Sequence, residues 1–83
     1  MYTFHLKSSQ KTKLLIALKG LTLRSFASEI GISHSFLSQV LNEKRKPSAV
    51  VAKKIADGLG REMVDIFLVK TVDELPLEEV VKK

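Results

Sequence analysis

Hydrophobic residues recur at the three- and four-residue spacing of an α-helix through most of the chain. The most informative stretch is 23–41, LRSFASEIGISHSFLSQVL. Each half of it carries one apolar face, with Phe26, Ala27 and Ile30 in the first and Leu37, Val40 and Leu41 in the second. Gly31 lies between them, and glycine adopts positive φ without a Cβ clash. The stretch therefore predicts two short helices joined by a tight turn, the second beginning after the N-cap Ser33.

The polar side of the second helix carries no formally charged residue at neutral pH. It presents His34, Ser35, Ser38 and Gln39. A helix face that only meets solvent is commonly rich in Glu and Lys. Uncharged hydrogen-bonding side chains near a helix N-terminus instead suit the reading of base edges in the DNA major groove.

Three further helices are predicted from apolar spacing and capping residues. The first runs from Ser8 or Ser9 to about Lys19, with Leu14, Leu15 and Leu18 on its buried face. The fourth runs from Ser48 to about Leu59, and the fifth covers about Glu62 to Phe67. The second helix begins after Thr22, but Ser25 rather than Glu occupies its third position. A reciprocal capping box is therefore not expected there.

The two ends of the chain lie outside this helical pattern. Met1 to Lys7 alternates apolar and polar residues, which fits either a short strand or an ordered arm that packs its aromatic residues on the core. The sequence thus divides into an N-terminal arm (1–7), a DNA-binding domain (8–68) and a C-terminal tail (69–83). In the tail, Leu77, Val80 and Val81 fit one helical face, which suits self-association or contact with a protein partner; a frayed tail is the alternative.

Ala27, Gly31, Ile32, Leu37 and Val40 stand at the spacing of the helix-turn-helix of phage repressor and Cro proteins. The chain resembles this XRE-like family from about Lys11 to Phe67. The resemblance implies an all-α fold, a compact five-helix repressor-like bundle with a helix-turn-helix.

Three positions depart from the family pattern. Leu23 stands where a polar residue often contacts phosphate, and Glu43 stands where glycine commonly follows the asparagine. Gly58 interrupts the fourth helix where alanine is usual, at a cost of roughly 1 kcal/mol in helix propensity.

Charge is unevenly distributed along the chain, whose formal net charge is +5. Residues 1–60 hold ten Lys or Arg and three Asp or Glu, a net of +7, whereas residues 61–83 hold four and six, a net of −2. A basic body suits electrostatic contact with DNA. Lys44, Arg45 and Lys46 form three consecutive cations directly after the second helix of the pair and its asparagine, before Pro47.

Candidate contacts divide into two groups. The resemblance places base-edge contacts at the start and middle of the recognition helix, where Gln39 is able to pair with adenine; the candidates are Ser33, His34, Ser35, Ser38 and Gln39. Phosphate contacts are expected from cations and helix N-termini, namely from Thr22, Arg24, Lys44, Arg45, Lys46 and Ser48. Phe36 borders the polar face, and packing is favoured over contact with a thymine methyl group.

Enzyme chemistry has little support in this sequence. With two histidines and no cysteine, a metal site is poorly supplied, and no glycine-rich phosphate loop occurs. Neither a catalytic residue nor a metal or other cofactor is expected. No apolar run reaches the length of a membrane span, and a cytoplasmic setting is expected.

The sequence therefore predicts a sequence-specific regulator of transcription, a repressor of the phage repressor or Cro type from a phage or mobile element. It would bind an inverted-repeat operator in double-stranded DNA as a homodimer. One alternative is an antitoxin-like protein that binds its own promoter while its tail engages a protein partner. Another is a protein-interaction module that does not bind DNA.

Overall fold

The computed structural model of the protein describes residues 2–71, which form five helices and one two-stranded sheet. In chain order the elements are β1 (Tyr2–Leu6), α1 (Ser9–Leu18), α2 (Leu23–Ile30), α3 (His34–Leu41), α4 (Ala49–Gly58), α5 (Met63–Ile66) and β2 (Phe67–Thr71). The five predicted helices are confirmed and the fold is mostly helical, but the all-α class was slightly overstated because β1 pairs with β2. The helical face predicted for Leu77, Val80 and Val81 lies outside the described residues.

The two strands form an antiparallel ribbon that joins both ends of the described chain. Leu6 pairs with Phe67 at one end of the ribbon, and Tyr2 pairs with Thr71 at the other. The rings of Phe4 and Phe67 are both buried and meet edge to face at 6.5 Å. Phe67 was expected to end the fifth helix, yet its backbone is extended, and the helix ends at Ile66. The tail boundary drawn between residues 68 and 69 falls within β2.

The helices enclose one hydrophobic core beneath the ribbon. Its innermost side chains come from α1 to α5 and include Ile16, Phe26, Leu37, Leu41, Ile55 and Ile66. In α1 the predicted inward face was largely wrong, because Leu14 and Leu18 are 54% and 72% exposed. Thr12 and Ile16 are buried instead. The Thr12 hydroxyl donates to the Ser8 carbonyl at 2.8 Å, so its burial leaves no polar group unpaired.

The predicted helix starts are confirmed by hydrogen bonds. The side chains of Ser8, Thr22, Ser33 and Ser48 each accept from the backbone N–H three residues further on. The absence of a reciprocal capping box in α2 was a wrong expectation. The Ser25 hydroxyl oxygen accepts from the Thr22 N–H at 2.8 Å, because a serine at the third helical position reaches back as a longer Glu side chain would.

Four helices end in the same way, with a residue of left-handed backbone that closes the last turn. At the end of α2 this residue is Gly31, with φ of 81°. At the end of α3 it is Glu43, with φ of 61°, and its N–H donates to the Val40 carbonyl at 3.0 Å. The next N–H, of Lys44, donates to the Gln39 carbonyl at 2.8 Å, which completes a Schellman motif. Glu43 therefore occupies a conformation that favours glycine.

Glu43→Gly is expected to stabilise the protein by about 0.5–1 kcal/mol. Left-handed backbone costs a residue with a Cβ roughly 1–2 kcal/mol, and the larger entropy of glycine in the unfolded chain offsets about half of that. Urea unfolding followed by circular dichroism measures the difference. Glu43→Ala is the matched control, since it removes the carboxylate and keeps the Cβ. Equal midpoints for the Gly and Ala variants would contradict the assignment of strain at residue 43.

Candidate nucleic-acid interface

Helix α3, the expected recognition helix, is fixed to the core along one side. Leu37, Val40 and Leu41 are at most 1% exposed. The Ser9 hydroxyl of α1 also donates to the Leu41 carbonyl, which ties the end of α3 to the first helix. Because these contacts hold the helix on three buried side chains, its opposite side is presented to solvent in one orientation.

The predicted base-contacting residues lie together on that opposite side. Ser33, Ser35 and Gln39 are exposed, whereas His34 and Ser38 are half-buried. Ser35 and Gln39 are one helical turn apart, so their side chains project in the same direction. The Ser33 oxygen accepts from the Phe36 N–H at 3.1 Å, which leaves the hydroxyl hydrogen available to a second acceptor. We call these five residues the recognition strip.

A small polar network closes the C-terminal end of the strip. The Asn42 amide donates to the Ser38 oxygen at 3.4 Å. Its Oδ1 accepts from the Nζ of Lys13, on α1, at 3.1 Å. This hydrogen bond places Lys13 beside α3, although Lys13 and Asn42 are far apart in sequence. Helical periodicity gives no signal for this contact, because it joins residues 29 positions apart in the sequence.

The three consecutive cations Lys44, Arg45 and Lys46, here called the basic loop, are all exposed. The guanidinium of Arg45 lies over the Phe36 ring, 5.2 Å from its centre. Such a cation–π contact contributes about 0.5–1 kcal/mol at an exposed site. Phe36 is half-buried and packs against the core, as the sequence favoured. The stacking holds Arg45 directly beside the recognition helix.

The basic loop has no carboxylate partner within residues 2–71. The one ion pair in that part of the chain joins Lys53 to Asp57 on α4, 3.1 Å apart. Since no carboxylate of residues 2–71 forms an ion pair with them, the cations of the loop suit contact with an external anion.

Two helix N-termini offer backbone donors that suit an anion. In α2 the Thr22 hydroxyl is engaged with Ser25, so the donors without an intrahelical partner are the N–H groups of Leu23 and Arg24. In α4 the Ser48 oxygen accepts from the Val51 N–H at 3.2 Å. Thr22, Arg24 and Ser48 are all exposed, whereas the Leu23 side chain packs against the core. Such N-termini favour phosphate oxygens.

The arrangement defines a class of protein. A tight glycine turn between α2 and α3, a core-anchored second helix and an uncharged polar strip on its outer side are the parts of a helix-turn-helix module. A helix-turn-helix family model (HTH_3) matches residues 13–66, and the chain belongs to this family. The family is one of DNA-binding regulators of transcription and is generally non-enzymatic. No curated protein and no solved structure gives a match.

Within residues 2–71, no helix combines the length and the apolar character that crossing a bilayer requires.

Proposed function

We propose that this protein is a transcriptional repressor of the phage repressor or Cro type. In this proposal two copies bind an inverted-repeat operator as a two-fold dimer, with their recognition helices about 34 Å apart in successive turns of the major groove. Bound in this way, the dimer blocks the polymerase. The observation that carries the proposal is the uncharged recognition strip, with Ser35 and Gln39 exposed, beside a basic loop that has no carboxylate partner within residues 2–71.

The recognition strip and the basic loop have different roles in this proposal. Ser35 and Gln39 read base edges, and Gln39 is the residue able to form a bidentate pair with adenine N6 and N7. The basic loop and the N-termini of α2 and α4 bind phosphates, which fixes the register of the protein on the duplex. The Arg45–Phe36 contact couples the two roles, because it holds one phosphate-binding cation against the helix that reads the bases.

The salt dependence of binding tests the proposal at its first step. If the dimer makes about six to eight phosphate contacts, log K is expected to fall against log salt with a slope of about −5 to −7. Fluorescence anisotropy of a labelled duplex between about 50 and 300 mM KCl gives this slope. A site selected from a random DNA pool then supplies the operator, and its two-fold symmetry tests the dimer. Binding with no response to salt, or no binding at all, would contradict the proposal.

A further inference from the structure

The β1–β2 ribbon lies against the basic loop. His5 and Leu6 of β1 border a cleft of about 80 Å³, and Arg45, Lys46 and Pro47 border the same cleft. One carboxylate, that of Glu43, also borders it, and Glu43 forms no ion pair within residues 2–71. Arg45 also covers the Phe36 ring on α3, so one side chain connects the recognition helix with the cleft at β1. The ribbon is therefore contiguous with the proposed DNA-binding surface.

The register of the ribbon separates an inner face from an outer face. Phe4 and Phe67 are buried on the inner face, and side chains alternate between faces along each strand. The outer face consequently carries Thr3 and His5 of β1 and Leu68 and Lys70 of β2. Thr3 lies opposite Lys70, and His5 lies opposite Leu68.

Hydrogen-bonding groups and one cation are concentrated on this outer face. Thr3 Oγ1 and His5 Nε2 are hydrogen-bonded at 3.0 Å, which aligns the two side chains along the strand. Lys70 is exposed and has no carboxylate partner within residues 2–71. Neither strand contains an Asp or Glu. Diagonal neighbours such as His5 and Lys70 lie about 7–8 Å apart across an antiparallel pair, close enough to contact adjacent phosphates.

We propose that the outer face of the ribbon, through His5 and Lys70, is a second phosphate-binding surface that lengthens the contact with duplex DNA. The inference rests on the proposed function, since it assigns further contacts to the same DNA complex. Five-residue strands that rise about 3.4 Å per residue extend about 14 Å, close to the axial rise of four base pairs. Contacts to phosphate carry no base preference, so the ribbon adds affinity and leaves the sequence preference to the recognition strip.

The test compares Lys70→Ala with Arg61→Ala on the operator selected by the wild type. Both variants remove one exposed cation, but Arg61 follows the C-terminal end of α4, about 15 Å from its N-terminal end at Ser48. For each subunit, Lys70→Ala is expected to reduce the magnitude of the salt slope by about 0.9 and affinity about eightfold at 0.1 M salt. Arg61→Ala is expected to leave both near the wild-type values, and Lys70→Arg to restore them.

Hydroxyl-radical footprinting gives a second measurement, the protection of individual DNA sugars, which a general change of protein charge would not alter at particular sugars. Lys70→Ala is expected to lose protection at sugars contiguous with the remaining footprint, while protection at the recognition strip persists. If the wild type binds DNA and Lys70→Ala has the same salt slope and footprint as the wild type, the proposed phosphate contact of the ribbon is wrong and the proposed function stands. Equal losses for Lys70→Ala and Arg61→Ala would overturn the phosphate contact of the ribbon as well. Failure of the wild type to bind DNA would overturn the proposed function and the ribbon with it.

Discussion

Replacing Lys44 and Arg45 together with alanine is expected to weaken binding to all DNA sequences by the same factor. If each cation releases one counterion, two lost contacts cost about 60-fold per subunit near 0.1 M salt. Both side chains are exposed and outside the core, so the variant is expected to fold. Fluorescence anisotropy on the operator and on a random duplex of equal length measures the two factors, and circular dichroism checks the fold.

Gln39→Ala is the counterpart that separates affinity from specificity. Gln39 is exposed on the recognition strip and carries no charge, so its loss leaves the salt slope unchanged. Loss of a bidentate pair with adenine is expected to cost about 1–3 kcal/mol on the operator and little on random DNA. If Gln39→Ala and the Lys44/Arg45 variant lost the same affinity on every sequence, the assignment of Gln39 to base readout would be wrong.

Gly58→Ala is expected to destabilise the protein by up to about 2 kcal/mol, although alanine is the better helix former. A Cβ at this position would lie 2.6 Å from Ile30 Cγ2 and 2.9 Å from Phe26 Cε1. Phe26 is fully buried, so its ring has little room to move. Overpacking of this kind exceeds the roughly 1 kcal/mol that alanine contributes in helix propensity. Urea unfolding measures the sign of the change.

A double-mutant cycle with Ile30→Ala identifies the clash as the cause. Ile30→Ala alone loses buried methyl groups, but it also removes the Cγ2 atom that Gly58→Ala would meet. The two substitutions together are therefore expected to cost less than the sum of the single costs, by about 1 kcal/mol or more. Additive costs, or a Gly58→Ala variant more stable than the wild type, would contradict a packing role for Gly58. By helix propensity Gly58 is unfavourable in α4, but its lack of a side chain allows α2 and α4 to approach closely.

Local signals in the sequence predicted the helices well. Ser33 and Ser48 cap helices because a hydroxyl oxygen accepts from the N–H three residues on, a contact that depends only on neighbouring residues. Gly31 ends α2 for an equally local reason, the positive φ that its turn requires. The position of the recognition strip was also predictable from local signals, since helical periodicity places Ser35 and Gln39 opposite Leu37 and Val40.

The errors arose where packing between distant residues decides the structure. Leu14 and Leu18 are apolar and at helical spacing, which predicted burial. The buried side of α1 instead holds Thr12 and Ile16. A threonine is buried there because the carbonyl of Ser8 satisfies its hydroxyl, which hydrophobic spacing does not reveal. The Arg45–Phe36 and Lys13–Asn42 contacts likewise depend on how the helices pack, so periodicity and capping signals do not predict either pairing.

The β1–β2 ribbon has a consequence for the order in which the protein folds. Its strands lie about 60 residues apart along the chain, whereas the turns that connect the helices are short. Loop-closure entropy makes such distant pairing slow relative to local helix formation. The helical body is therefore expected to form before the ribbon closes. The two strands, including the one that carries Lys70, would be the last segments of residues 2–71 to gain protection from amide hydrogen exchange.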